Sequence, residues 1–416
     1  MKRMKTCRRK RIETRLIKQK LRHSGWIVLL FCFSLAGFVQ PVSAQTRVDF
    51  SEISVDYLYG EEVIFQAKVQ PAAALKEVYL FIQPAGEPTR LELVSVTDQG
   101  GILFTYNMVQ HPLRPFALTS YWFRAVTASG EKYESPKNFF TYQDNREPWQ
   151  TLNDGPVEVN WLQGDLFYGQ NALNVARTGL RTAYNLLPGD EFSPIKIFIY
   201  DSAAKLQETL NFSSTPWIVG NANPDLGVIL VSIVLGPEQQ LEMERQIPHE
   251  IMHLVLYQSV KDNYSQVPTW LNEGLASIAE TYPNFDYQRA LNKSVKDNTL
   301  LPISSLCISF PQDASGAFLS YAESASFVRF LQNKYGSKGL AGLVEKYKNG
   351  LSCEEGVQAT TGSSMEQVAY RWRQESLGLD ASVLAAQNLS PYLLIISILL
   401  VIPLVTIGIF RQRSGR

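Results

Sequence analysis

The chain has 416 residues, 45% hydrophobic and 19% charged, which is ample for a packed core and too long for one average domain. Its formal charge of zero hides an asymmetry: residues 1–44 carry eleven Lys or Arg and one Glu, leaving 28 basic against 38 acidic residues, a net of −10, over positions 45–416. So acidic a remainder lacks the basic footprint that nucleic acid demands, and no nucleic-acid partner is expected.

Residues 1–44 read as a signal peptide. A basic run from Lys2 to Arg22 precedes the apolar segment Trp26 to Val39, which is short for a membrane span, and the small residues Val42 and Ala44 frame a cleavage site after Ala44. Cleavage would remove Cys7 and Cys32. The remaining pair, Cys307 and Cys353, can form one disulfide in an exported protein, if their Cα atoms come close enough.

Residues 45–145 show period-two patterning. Glu62 to Val69, Glu77 to Ile82, Leu91 to Val96, Ile102 to Tyr106 and Ser120 to Val126 read as short strands, separated by turn signals at Tyr59-Gly60, Pro84-Ala85-Gly86, Gly100-Gly101 and Ser129-Gly130. Roughly seven strands in under a hundred residues predict an all-β immunoglobulin-like or fibronectin-like sandwich. It holds no catalytic constellation, and His111, beside Pro112, reads as a surface histidine. Phe140 to Asp154 reads as a hinge.

Beyond the hinge, over residues 155–380, the period moves towards 3.6. Val157 to Trp161, Ile195 to Tyr200 and Val228 to Ile233 read as strands, and Asn171 to Leu187 as an amphipathic helix ending at Pro188-Gly189. The overall fold class expected is α+β. A further helix carries His249-Glu250-Ile251-Met252-His253. Two of the four histidines of the chain lie in this pentapeptide. Residues four apart share a helix face, so His249 and His253 can address one metal ion with Glu250 beside them. Pro248 predicts a kink or restart of a helix running from Glu238.

Trp270-Leu271-Asn272-Glu273-Gly274 follows on a second apolar-periodic segment, with Thr269 as its expected cap. Glu273, twenty residues after His253, completes a three-ligand set with the fourth position left to water, the pattern of catalytic zinc. Glu250 is then the general base. Glu280, about two turns after Glu273, is a candidate to order a metal ligand. Asn272 receives no role.

The two motifs and their spacing resemble the gluzincin metallopeptidases, and residues 157–378 resemble the bacterial peptidase MA-like domain in layout: strands, H-E-x-x-H, W-L-N-E-G, a Tyr-Ala-led helix and a terminal helix bearing tryptophan. The resemblance implies a zincin-like α+β domain, Zn2+ held by His249, His253 and Glu273, and a peptide or protein substrate. Gluzincins usually also place a Tyr or His near the developing oxyanion. No histidine follows His253, so Tyr321 is the candidate, ahead of Tyr264 and Tyr282. By the same resemblance, Gly227 to Ser232 is the candidate strand for pairing with an extended substrate.

Tyr392 to Phe410 is a nineteen-residue apolar run interrupted by Ser397, Thr406 and Pro403, followed by the basic tail 411–416. It reads as a transmembrane helix with a cytoplasmic tail, placing the catalytic part outside a cell membrane. The whole reads as a membrane-anchored, extracytoplasmic zinc metallopeptidase; the alternative is a surface binding or scaffold protein retaining a structural zinc.

Overall fold

The computed structural model describes residues 47–379, apart from 73–74, 109, 190–192 and 211–219, and also Tyr392. The expected signal peptide, membrane span and tail lie outside these residues, except for Tyr392. Among the described residues no helix is long and apolar enough to cross a membrane. The fold is α+β.

Residues 49–141 form two antiparallel sheets. One has the order β1 (Asp49–Leu58), β2 (Glu62–Gln70), β5 (Gly101–Asn107). The other has the order β4 (Arg90–Val94), β3 (Leu75–Pro84), β6 (Leu118–Thr127), β7 (Lys132–Glu134), with β8 (Asn138–Thr141) also on β6. Alternate residues point inward, so Val63, Phe65, Ala67 and Val69 of β2 meet Val78, Leu80 and Ile82 of β3 and Tyr121, Phe123 and Ala125 of β6 in one shared core. His111 is exposed, as expected.

The predicted hinge is a correction. Gln150–Asp154 is a strand, β9, pairing antiparallel with β10 (Val157–Trp161). Before it, the Asp144 carboxylate takes bonds from the Arg146 guanidinium at 2.7 and 2.9 Å, and the Trp149 indole donates to the Asp144 carbonyl at 2.7 Å. Polar residues that suggested a linker are used internally.

The second part is built on a mixed five-stranded sheet of order β12 (Gly220–Asn223), β13 (Val228–Ser232), β11 (Ile195–Tyr200), β10, β9. Its central strands read as continuous apolar runs because both faces are covered. Ile197, Ile199, Ile229 and Val231 face one core with α1 (Leu166–Leu186), while Phe198, Tyr200, Val228 and Leu230 face another with α2 (Ala203–Leu210) and Phe116 of the N-terminal sheets. The candidate substrate strand is therefore internal: β13 is buried along its length and paired on both sides, and β12 is the edge.

Six helices follow: α3 (Gln239–Val260), α4 (Thr269–Ala279), α5 (Phe285–Asp297), α6 (Ala314–Lys348, bent at Gly336), α7 (Cys353–Thr361) and α8 (Met365–Leu377). The capping boxes of Ser352 with Glu355 and Ser364 with Gln367 start the last two. Cys307 and Cys353 are disulfide-bonded, with Cα atoms 6.0 Å apart, tying the segment after α5 to α7.

A candidate metal centre between two helices

Helix α3 runs unbroken through Pro248, so of the kink or restart expected from sequence the restart does not occur. Two partners remove the reasons for a break. A proline cannot donate to the carbonyl four residues back, here Glu244, and that carbonyl instead accepts the Thr281 amide at 2.9 Å. The pyrrolidine ring also needs space, and α1 presents Gly179, whose absent Cβ would lie 3.0 Å from Pro248. The proline thus fastens the end of α4 to the middle of α3.

His249 and His253 stack on one face of α3, ring centroids 5.1 Å apart. Opposite them α4 begins after Pro268. Thr269 is its first helical residue rather than its cap; its amide and hydroxyl donate to the Cys307 and Ile308 carbonyls at 3.0 and 2.7 Å. Gly274 lets α4 lie against α6, since a Cβ there would meet the Ser324 carbonyl at 2.6 Å. So seated, Glu273 brings Oε2 to 3.4 Å from His249 Nε2 and 3.7 Å from His253 Nε2.

Those distances test the site as a metal centre. Four donors at about 2.0–2.1 Å around a tetrahedral zinc stand about 3.3 Å apart, and the three donor atoms here all lie within 4.8 Å of one another. The other imidazole nitrogens are held away: His249 Nδ1 lies 3.1 Å from Glu280 Oε1, and His253 Nδ1 lies 2.8 Å from Asn272 Oδ1. Each bond leaves Nε2 free to coordinate. Asn272 is fixed in turn by donating to the Tyr264 hydroxyl at 3.1 Å. His249, His253 and Glu273 thus form a group able to hold a metal ion.

Electrostatics agree with this geometry. Burial would lower the His249 pKa, yet bonds to Glu273 and Glu280 carry it well above the ordinary value. Burial would raise Glu273, but the two histidines bring it below the usual carboxylate range. Glu250, 8% exposed, is pushed up by burial against the opposing pull of His253 and His249. It lies under the edge strand, where any Cβ at Gly220 would overlap its carboxylate.

Tyr321 stands two turns inside α6, with its ring centroid 6.4 Å from that of His249 and 5.1 Å from that of Phe310. The negative charge of Glu273 first, then burial, keep its phenol protonated. Of the other tyrosines considered, Tyr264 is bound to Asn272 and Tyr282 is exposed. Glu280 lies just past the end of α4 rather than on its face, yet still reaches His249. Sequence reasoning gave Asn272 no role, weighed Tyr264 only for the oxyanion and passed over Gly220. Only the place of Asn272 next to Glu273 offered a signal.

Residues 176–377 match the family model described as Peptidase MA superfamily. No curated protein matches the chain. Among solved structures, an M1 zinc metallopeptidase from Deinococcus radiodurans aligns at a TM-score of 0.36 and 11% identity, over 79% of this chain and 94% of that one. A carbohydrate-binding module family 56 β-1,3-glucan binding domain aligns at a TM-score of 0.17 and 15% identity, over 22% of this chain and 98% of that one. Both scores are too low to define a shared fold.

Proposed function

We propose that the chain is a zinc-dependent peptidase of gluzincin type. The observation that carries this reading is the convergence of His249 Nε2, His253 Nε2 and Glu273 Oε2 next to the buried carboxylate of Glu250. A zinc ion held by these three residues would supply Lewis acidity, making an attacking water acidic and polarising the scissile carbonyl.

The remaining chemistry belongs to the side chains. Glu250, its pKa raised by burial, accepts the proton of the attacking water and later delivers it to the departing amine. Tyr321, held protonated, donates to the oxyanion that develops at the carbonyl. The open edge of β12 offers backbone groups for pairing with an extended peptide above Glu250, and Gly220 leaves room for both.

In the same reading the N-terminal sheets form an immunoglobulin-like sandwich, supported by the order 1-2-5 facing 4-3-6-7. The protein is placed outside a cell membrane, anchored by residues 392–410, with its signal in residues 1–44. The Cys307–Cys353 bridge suits an oxidising compartment. The test is zinc content together with cleavage of a mixed peptide library. One zinc per chain is expected, with cleavage reduced at least about a hundredfold in Glu250→Gln while zinc is kept. Zinc without cleavage in the wild type would favour the binding-protein alternative, and absence of zinc would refute the reading.

A further inference from the structure

One turn of α3 before His249, and on the same face, stands Arg245. It is the cation on the metal side of this helix, and its guanidinium is poorly served. Among the described residues its one ion pair is with Glu242 at 3.9 Å, and its Nε has no hydrogen-bond partner. Buried donors are nearly always paired, so an orphaned guanidinium edge calls for an acceptor from elsewhere.

Its surroundings point towards the metal. The guanidinium lies 5.8 Å from the Tyr282 ring centroid. Tyr287 of α5, whose phenol is raised by burial and by Glu280 and Glu273, also feels the Arg245 charge in the opposite direction. Phe318, with its ring centroid 5.2 Å from that of Tyr287, and Phe285, 5.7 Å from Tyr282, continue the aromatic wall and are both exposed.

We propose that Arg245, beside Tyr282, forms a subsite that binds a carboxylate of the substrate, one helical turn from His249. A planar guanidinium fork fits a carboxylate through two parallel bonds, and aromatic side walls strengthen them by excluding water. The carboxylate belongs to an acidic side chain or to a peptide C-terminus. The inference rests on the peptidase reading for the nature of its ligand.

The test measures binding rather than turnover. Zinc-loaded full-length chain carrying Glu250→Gln is titrated with matched peptides that differ in Glu against Gln at one position, or in a free against an amidated C-terminus. One carboxylate peptide is expected to bind about 10- to 100-fold more tightly than its neutral partner. Adding Arg245→Met should bring that pair level, Arg245→Lys should keep part of the difference, and zinc content and the affinity of the neutral peptide should not change. A Glu preference identifies a side chain, and a free-terminus preference a C-terminal carboxylate. Equal binding within every pair, or a preference that survives Arg245→Met, overturns the subsite. Discrimination by a wild-type protein that cleaves nothing would refute the peptidase reading and leave the subsite standing.

Discussion

Each imidazole at the metal centre is aimed by a different kind of partner, an anion for His249 and a neutral amide for His253. Replacing Asn272 by Ala removes the acceptor at His253 Nδ1 and strands Tyr264, while Glu280→Gln keeps an acceptor but loses its charge. Titration with a competing chelator should show zinc affinity weakened about 10- to 100-fold by Asn272→Ala and less by Glu280→Gln. Both should retain fold and stoichiometry; unchanged affinity in Asn272→Ala would contradict this role. The ligands themselves were legible because helical spacing puts His249 and His253 on one face whatever the rest of the chain does. Of their supports, Glu280 was expected from its spacing, although it reaches His249 from just past a helix end, whereas Asn272 had no assigned role because it reaches His253 only once α4 docks on α3.

Among the elements, α6 carries a buried carboxyl group, two residues from Tyr321, that has consequences for stability. Glu323 is fully buried; one oxygen accepts the Leu301 amide at 2.9 Å and the other has no partner. Burial, only partly opposed by that bond and by Arg373, pushes its pKa up to about 7. The folded state thus holds this proton more tightly than the unfolded chain, whose value is near 4.5. The stabilisation is full below about pH 4.5 and is lost as pH rises through about 7, amounting to at most about 3 kcal/mol. Urea unfolding at pH 5 and pH 8 should show this fall in the wild type and a smaller one in Glu323→Gln; equal falls would remove Glu323 as its source. Strands were the easiest elements to read, since alternation marks β2, β3 and β6 and a doubly apolar run marks β11 and β13. The edge strand escaped because Gly-Asn-Ala-Asn has little strand propensity and owes its conformation to β13. The restart expected in α3 does not occur for the converse reason: a local rule against proline yields when Gly179 makes room and Thr281 supplies the missing donor.

At the scale of the whole molecule, the N-terminal sheets grip the chain on both sides of the edge strand. Tyr59 donates to the Thr209 carbonyl at 2.8 Å and Arg146 binds Glu208 at 2.7 Å, both at the end of α2, the element before β12. On the far side, in the turn between β12 and β13, Asp225 receives both arms of Arg114 at 2.6 and 2.7 Å. Patterning separated a β part from an α+β part. It gave no hint of this grip, because Arg114 and Asp225 are 111 residues apart and neither carries a motif. The bond from Thr281 to Glu244 likewise joins distant parts of the chain, and it is made by backbone groups of residues that are not metal ligands. Because protein groups clasp α3 to α4 and aim both imidazoles, the cation is expected to have little chain to organise. Its binding free energy therefore goes into affinity, unlike that of zinc modules which are unfolded until loaded. Stripping the protein with a chelator should leave its far-ultraviolet circular dichroism unchanged at 25 °C, and collapse of that signal would mean that the metal, not the proline-borne clasp, builds the pocket.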